Sequence, residues 1–312
     1  MFRQIGSVLL TKRKSLGELL RYFPYIDLSV QYIPLYAYLY ARGLATSPWS
    51  LSLLLPFILG HAAGFAYNNL MDAEDPAFRR NPLRSGEISP QQARWLVSGL
   101  LLASLLTFGA LFDTWPAWLA YAAYIFLGLA YSGLGLRLKE SVVGPFIASF
   151  TVYTAGVLAI ALENVPSWDS TIGGLITAIF LIYVGREIFH TYIDRENDLE
   201  AGYRTFAVRF NLPTQLIALA LASLSGAICL LWSLYSFSSG WPVNALGLVL
   251  VICTLGAAGL QTLYSLRFEP FHPATAFRLY RLCFALYGAY LLGLNPLAAA
   301  LFIWVFLINR RS

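Results

Sequence analysis

The sequence predicts an all-α, polytopic membrane protein, and two observations support this fold class. Of the 312 residues, 58% are hydrophobic and only 12% are charged, whereas a soluble domain carries about 25% charged residues. About nine apolar stretches are each close to 20 residues long, which is the length of an α-helix that crosses a bilayer. Lipid offers no hydrogen-bond partners to the backbone, so these stretches are expected to be helices.

The apolar stretches follow one another along the whole chain, so residues 1–312 are expected to form one transmembrane domain. A shorter apolar tail at 297–309 follows Asn295 and Pro296. Residues 1–22 are predicted to be an amphipathic helix on the membrane interface, because they lack the apolar core and cleavage site of a signal peptide. The predicted spans lie near residues 24–44, 49–70, 93–112, 115–135, 142–162, 171–193, 213–237, 243–266 and 277–294.

The basic residues predict which side of the membrane the connections occupy. All of the 21 Lys and Arg residues except Arg42, Arg310 and Arg311 lie before the first span or around the connections after even-numbered spans. The positive-inside rule places this side in the cytoplasm. Nine spans would put Arg310 and Arg311 outside, so either the tail re-enters or the last helices are placed differently. Basic residues beside a membrane, with a net charge of +5, suit anionic lipid rather than nucleic acid.

The second predicted span ends in a stretch that carries charge of both signs, YNNLMDAEDPAFRRNPLRSGEIS at residues 67–89. If the helix continues through it, Asn68, Asp72 and Asp75 share one face at positions i, i+4 and i+7. Their oxygens are the ligands that a hard divalent cation prefers. Metal beside arginines suits a substrate with phosphate groups. Glu74 adjoins Asp75, and which of the two would bind metal stays open.

The sixth predicted span ends in a comparable stretch, GREIFHTYIDRENDLEAGYRTFAVRFN at residues 185–211. Asp194 and Asp198 are one helical turn apart, and arginines surround them. Each acidic stretch ends an even-numbered span, and two further spans follow each. We interpret this as an internal repeat in which each half supplies one metal-binding face to a central cavity. Ionisable groups at membrane depth are costly, which favours a functional role.

A third polar stretch, YSGLGLRLKES at residues 131–141, ends the fourth span on the same predicted side. The three stretches together resemble the motifs of the UbiA-type intramembrane prenyltransferase superfamily, in order and over essentially the whole chain. Four residues depart from the family pattern. Asn69 stands in place of an acid, and Asp75 is an acid that comes one residue early. Asn81 stands in place of an arginine, and Thr191 in place of an aspartate. The matching residues are Asn68, Asp72, NPLRSG at 81–86, Tyr131, Ser132, Arg137, Leu138, Lys139, Arg186, Glu187, Ile188, Asp194, Asp198, Gly202 and Thr205.

This resemblance implies transfer of a prenyl group from a polyprenyl diphosphate to a lipophilic acceptor, which could be an aromatic ring, a tetrapyrrole or a lipid. Mg²⁺ would neutralise the diphosphate as the allylic C–O bond ionises, and Tyr153 would stabilise the allylic cation with its ring. His61 and His190 are candidate bases. The implied metal ligands are Asn68, Asp72, Asp75, Asp194 and Asp198. The implied diphosphate-binding residues are Asn68, Arg80, Arg84, Tyr131, Arg137, Lys139 and Arg186.

Two other classes of membrane protein also use clustered aspartates. An ion-coupled transporter would bind its ions near the bilayer midplane, between broken helices. Here the acids lie at helix ends, which favours the enzyme. A membrane alcohol phosphotransferase would carry a single long acidic motif that this sequence lacks. No stretch of the sequence discriminates among acceptors or donor chain lengths.

Overall fold

The computed structural model describes Leu19 and residues 32–44, 47–74 and 81–237, and all regular structure in these ranges is helical. Each of the first seven predicted spans contains one of these helices. The predicted spans at 243–266 and 277–294, the tail at 297–309 and, apart from Leu19, the interfacial segment at 1–22 lie outside the described residues. The predicted site residues Asp75 and Arg80 also lie outside them.

Within the described ranges, seven helices pack into a bundle, and two short helices lie at and after the second acidic motif. We number them in chain order, and a 3₁₀ segment at Pro48–Leu54 leads into α2. The helices are α1 (Tyr32–Ala41), α2 (Leu55–Met71), α3 (Pro90–Leu111), α4 (Trp115–Ser132), α5 (Gly144–Asn164), α6 (Ser170–Ile193), α7 (Arg195–Glu200), α8 (Phe206–Arg209) and α9 (Leu212–Phe237).

Five helices are long and apolar enough to cross a membrane: α2 with its leading segment, α3, α5, α6 and α9. The outward faces of α3 and α9 expose Leu102, Leu106, Ile217 and Leu221. Large apolar side chains in continuous exposed rows are what a lipid-facing surface requires. The chain is therefore an integral membrane protein.

Local sequence signals explain where the helices begin. Ser89 and Gln92 form a reciprocal capping box ahead of α3, and Pro90 occupies the first helical position, where its missing N–H costs nothing. Asp169 caps α6 by accepting a hydrogen bond from the N–H of Ile172 at 2.9 Å. The same carboxylate pairs with Arg42 beyond α1 at 2.9 Å. This ion pair joins helix ends on the side of the bundle opposite the acidic motifs.

Helices α6 and α9 pack closely because small residues lie between them. A Cβ on Gly226 would lie 2.7 Å from Cγ1 of Ile182, and one on Gly174 would lie 3.1 Å from the carbonyl oxygen of Cys229. Small residues let transmembrane helices approach until their backbones are nearly in contact. This packing fixes α6, which carries the second acidic motif, against the rest of the bundle.

Helices α2 and α4 run parallel in a fixed register. The Ser132 hydroxyl donates to Oδ1 of Asn68 at 2.5 Å near their C-terminal ends. Two turns earlier, the Tyr124 hydroxyl lies 2.8 Å from Nδ1 of His61. Below this level an aromatic cluster fills the bundle, with Phe57 packed edge-on against Phe108 at 6.1 Å between centroids. The aromatic cluster therefore closes the space between the two helices at the level of Phe57.

Candidate active site

Asp72, at the end of α2, is the most deeply buried acid of the described chain, with 1% of its surface exposed. Its Oδ1 accepts a hydrogen bond from the Lys139 ammonium group, and the Arg137 guanidinium lies 3.9 Å away. Its Oδ2 is buried and has no hydrogen-bond partner in the described part of the chain. A buried acceptor without a partner costs about 1–3 kcal/mol, and more when charged. This oxygen is therefore suited to bind an incoming cation.

Asn68 lies one turn before Asp72 and shares a cation with it. Its Oδ1 accepts from the Lys139 ammonium at 3.2 Å as well as from Ser132. The ammonium group therefore lies between two oxygen ligands from the same helix. The helix ends at Met71, however, and residues 72–74 form a turn. The expectation that α2 continues through residue 75 is wrong, because the Asp72 backbone (φ −96°, ψ 11°) already departs from helical geometry.

The loop between α4 and α5 carries Arg137 and Lys139 to Asp72. Two non-glycine residues of the described ranges have a positive φ, Leu134 at 51° and Arg137 at 42°, and both lie in this loop. Such a left-handed conformation costs roughly 1–2 kcal/mol per residue. The Arg137 guanidinium also pairs with Glu140. We infer that these ion pairs hold the strained loop over the end of α2, since backbone strain persists only where surrounding contacts over-determine it.

The second acidic motif lies at the end of α6 and is more exposed than the first. The Asp194 side chain is 45% exposed, and its Oδ2 lies 3.3 Å from Nδ1 of His190. Asp198 accepts a hydrogen bond from the Thr205 hydroxyl at 2.9 Å. Partial burial, and then the charge of Asp194, raise the pKa of Asp198, while the Thr205 hydrogen bond and the charges of His190 and Lys139 oppose this rise.

The loop between α4 and α5, residues 133–143 (the middle loop), connects the two acidic motifs. Lys139 binds Asp72 directly and is close enough to Asp198 to lower its pKa. The backbone N–H of Arg204 donates to the carbonyl of Glu140 at 2.9 Å, which ties the segment after α7 to this loop. Within the described ranges, no three His, Cys, Asp or Glu side chains cluster closely enough to hold a metal ion by themselves. A metal bound to these described side chains would therefore need further oxygen ligands.

A cavity of about 390 Å³ extends from Asn68 into the bundle. Tyr153 lines it from a π-helical turn of α5 at Ser149–Thr154, and such turns are frequent at functional sites. The Arg186 guanidinium binds the Tyr153 hydroxyl and pairs with Glu187. The Tyr153 ring stacks on Tyr183 with centroids 3.7 Å apart. This stack covers one ring face, so Tyr153 has at most one face for a ligand.

The cavity changes character along its length. Its deeper walls include Gly60, Gly64, Ile125, Gly128 and Leu129. Its outer end carries the polar and charged residues Asn68, Tyr131, Ser132, Arg186, Glu187 and His190. The arrangement suits an amphipathic ligand whose charged group stays at the outer end.

The family model of the UbiA prenyltransferase family matches residues 32–269 of this chain. The chain belongs to the UbiA prenyltransferase family. It is therefore a prenyltransferase of the membrane, and nothing in this assignment supports an ion-coupled transporter.

Characterised relatives and solved structures agree with the family assignment. The 4-hydroxybenzoate octaprenyltransferase of Pseudomonas putida (strain W619) is 27% identical over 255 residues, which cover 74% of this chain and 81% of the relative. That of Pseudomonas entomophila (strain L48) is 29% identical over 254 residues, 73% of this chain and 80% of the relative. The UbiA homologue from Archaeoglobus fulgidus bound to GPP and Mg²⁺ superposes with a TM-score of 0.69 at 18% identity, covering 94% of this chain and 99% of that one.

The described members of the predicted site of this UbiA-family chain fall into four groups. Lys139 contacts both Asn68 and Asp72, and Arg137 lies 3.9 Å from Asp72. Tyr131, Tyr153 and Arg186 line the cavity. The second motif, Asp194 and Asp198, is connected to Asp72 through Lys139 of the middle loop, which binds Asp72 and lowers the pKa of Asp198. Arg84 lies in an exposed turn and is not among the described residues that line the cavity.

Two departures from the family motif have a structural explanation that sequence reasoning missed. The Asn81 amide donates to the backbone carbonyl of Asn69 at 2.6 Å, and its Oδ1 accepts from the N–H of Leu83 at 3.1 Å. The Asn69 amide donates to the carbonyl of Leu19 at 2.7 Å. These buried side chains join the end of α2 to the following turn and to Leu19. An amide is suited to this because it satisfies carbonyl groups without adding charge.

The two candidate bases have different surroundings. Nε2 of His61 lies 3.0 Å from the carbonyl of Val152. Nδ1 lies 2.7 Å from the carbonyl of Phe57 and 2.8 Å from the Tyr124 hydroxyl, so both ring nitrogens already face hydrogen-bond partners. His61 therefore ties α2 to the π-helical turn. His190 lies at the outer end of the cavity beside Asp194.

Proposed function

We propose that this prenyltransferase takes its prenyl group from a polyprenyl diphosphate, with Mg²⁺ and by ionisation of the allylic C–O bond, and passes it to a lipophilic acceptor inside the membrane. The observation that carries the proposal is the buried oxygen of Asp72, which has no hydrogen-bond partner among the described residues and lies beside two cationic side chains. This group adjoins Asn68, at the charged end of a cavity whose deeper walls are largely apolar. A diphosphate and a prenyl chain match these two parts of the cavity.

The residues present fit Mg²⁺. Proteins bind this ion through one or two carboxylates, and waters and substrate phosphates complete the octahedron. Asp72 with Asn68 supplies such a partial set, and Asp75 belongs to the same motif. Asp194 and Asp198 supply a second set whose exposure allows exchange with solvent. Bound Mg²⁺ would supply positive charge to the diphosphate oxygens.

Basic side chains of the chain itself would stabilise the leaving group. When the allylic C–O bond breaks, its electron pair leaves with the diphosphate oxygen. Lys139, Arg137 and Arg186 are placed around the polar end of the cavity and can donate charge-assisted hydrogen bonds to that oxygen and its neighbours. Lys139 is already held in place by Asn68 and Asp72, so little reorganisation is needed at the moment of ionisation.

The deeper walls would protect the cation formed by ionisation. The Tyr153 ring, which has the Arg186 guanidinium over it at 5.0 Å from the centroid, would be a source of negative π-density for an allylic cation. The apolar walls at Ile125 and Leu129 exclude water, which would otherwise capture the cation before the acceptor does. The new bond then forms between the first prenyl carbon and the acceptor, and the proton that the acceptor loses passes to a base, for which His190 at the outer end of the cavity is the candidate.

An aromatic ring is the acceptor that we propose first. Two relatives that each cover about three quarters of this chain are 4-hydroxybenzoate octaprenyltransferases, which supports a hydroxylated aromatic acid over a tetrapyrrole or a lipid. We further propose that the site opens to the cytoplasm, because the basic residues of the middle loop lie at this end. Arg84→Cys in a cysteine-free background should then react with an impermeant thiol reagent in inverted vesicles and be protected in intact cells.

The test is prenyl transfer by the purified full chain in lipid nanodiscs, with a labelled polyprenyl diphosphate and 4-hydroxybenzoate. Product should form with Mg²⁺ and stop when the metal is chelated. Asp72→Asn should lower kcat/KM at least about a hundredfold, because it removes a charged metal ligand. Asp113→Asn is the matched control, since Asp113 is exposed at the opposite end of the bundle. Transfer that persists without metal, or an unaffected Asp72→Asn variant, would refute the proposal.

A further inference from the structure

Tyr124 closes the deep end of the cavity. Its hydroxyl oxygen lies 2.6 Å from the position that a Cβ on Gly60 would occupy, so the tyrosine crosses α2 where that helix has no side chain. The hydroxyl contacts His61, and the ring packs against Phe57 with centroids 5.6 Å apart. Phe57 and Tyr121 lie deeper and are buried among other rings. Of the described residues on α2 and α4, Gly60 and Tyr124 are the deepest that line the cavity.

The space above Tyr124 exists because two glycines lie halfway up the cavity. Gly64 and Gly128 are each one turn above the level of Gly60 and Tyr124, and both line the cavity. A Cβ on either would meet no atom within 4 Å. One turn further, Asn68 and Ser132 close the same pair of helices with a hydrogen bond.

The depth of this space can be compared with a prenyl chain. From Gly60 to Asn68 the helix rises about 12 Å, at 1.5 Å per residue. An isoprene unit adds four main-chain bonds of about 1.5 Å, or about 5 Å when extended. The cavity between the diphosphate end and Tyr124 is therefore about two isoprene units deep.

We infer that Tyr124 sets the chain length that the cavity accepts in extended form. The first two isoprene units of the donor occupy the space beside Gly64 and Gly128, and a third unit meets the Tyr124 ring and must turn aside. The inference rests on the proposed function, since it takes the diphosphate to bind at Asn68 and Lys139.

The test compares kcat/KM of the full chain in nanodiscs for dimethylallyl, geranyl and geranylgeranyl diphosphates, which carry one, two and four units. Tyr124→Leu should raise the geranylgeranyl-to-geranyl ratio about tenfold or more, because pocket volume discriminates alkyl groups by roughly 10- to 200-fold. Tyr124→Phe keeps the ring and should leave this ratio within about twofold of wild type. A shift in Tyr124→Phe equal to that in Tyr124→Leu would show that the hydroxyl, and not the ring volume, matters, and would overturn the inference.

Gly128→Leu supplies an independent test if Tyr124→Leu fails to fold. Its side chain should fill the middle of the cavity and raise the dimethylallyl-to-geranyl ratio about tenfold. Gly99→Leu is the matched control, because Gly99 is an exposed glycine on α3 that also has no atom within 4 Å of a Cβ. Unchanged ratios in Gly128→Leu would overturn the inference. Mg²⁺-dependent transfer by the wild-type chain, measured in the same assay, would show that the proposed function still holds.

Discussion

The two acidic motifs end comparable helices, yet their environments differ. Asp72 is buried, directly bound by Lys139, and has one oxygen without a described partner. Asp194 is about half exposed, and Asp198 is bound by a neutral hydroxyl. Helix α2 ends at Met71 in a turn. Helix α6 is instead followed directly by α7, and the Asp198 N–H donates to the Asp194 carbonyl at 2.9 Å.

This difference indicates that the two acidic motifs have different roles. The first motif carries its own cation and is preorganised, which suits binding of a diphosphate in a fixed position. The second motif is more exposed, and its described side-chain contacts are His190 beside Asp194 and the Thr205 hydroxyl on Asp198, so it can take a hydrated metal ion at little desolvation cost. The aspartates of the two motifs are therefore not expected to contribute equally.

The largest effect is expected when Asp72 loses its cation. Lys139→Met removes the cation in direct contact with a buried carboxylate and leaves only the more distant Arg137 guanidinium among its described partners. Breaking a buried ion pair destabilises a protein by about 3–5 kcal/mol, and kcat/KM for the donor should fall about a hundredfold. Thermal unfolding in detergent and donor kinetics measure both. Adding Asp72→Asn to Lys139→Met should restore stability but not activity. Arg42→Ala is the control, because exposed pairs contribute about 0–1 kcal/mol. If Lys139→Met and Arg42→Ala destabilise the protein equally, the buried ion pair at Asp72 contributes no more than an exposed one, and the proposed difference is wrong.

The neighbouring acids test where the first motif continues beyond α2. Asp75→Ala should lower turnover about a hundredfold if Asp75 is a metal ligand. Glu74→Ala should have little effect, because Glu74 is exposed in the turn after α2. The reverse ranking in Mg²⁺-dependent transfer assays would assign the ligand to Glu74.

Arg137→Ala should have a smaller effect, confined to the donor. Charge-assisted hydrogen bonds contribute about 1.5–3 kcal/mol, so kcat/KM for the diphosphate should fall about ten- to a hundredfold. KM for the acceptor should stay close to wild type when donor and acceptor are varied in turn. If donor kinetics are unchanged, Arg137 serves only membrane topology.

The smallest effect is expected at the second motif. Thr205→Ala removes one neutral hydrogen bond from Asp198, worth about 1 kcal/mol. The Mg²⁺ concentration for half-maximal activity should rise about fivefold, and Thr205→Ser should restore it. A hundredfold rise would mean that the second motif is as tightly organised as the first.

Features encoded by local pattern could be predicted from the sequence. Apolar stretches of spanning length gave the helices, because hydropathy and length act within one segment. The adjacency of Asn68 and Asp72 follows from helical spacing. The end of α2 at Met71 could not be predicted from the sequence, because the turn at 72–74 contains no glycine or proline. The next proline after the helix is Pro76.

Contacts between helices had no signal in a single sequence. The hydrogen bond of Ser132 to Asn68 and the stacking of Tyr183 on Tyr153 depend on how pairs of helices are rotated against each other. The structural role of His61 depends likewise on the π-helical turn of α5. Each is a tertiary property, because several rotations of an apolar helix bury similar area.

The central claim is that Oδ2 of Asp72, which has no hydrogen-bond partner in the described ranges, couples metal binding to diphosphate binding. The most direct measurement is calorimetric binding of a non-reactive geranyl thiolodiphosphate in nanodiscs, with and without Mg²⁺, to wild type, Asp72→Asn and Asp113→Asn. Mg²⁺ should strengthen binding to wild type and Asp113→Asn at least about tenfold, since metal-bridged phosphate oxygens are the dominant contact. Asp72→Asn should lose this enhancement. An undiminished Mg²⁺ enhancement in Asp72→Asn would contradict the account.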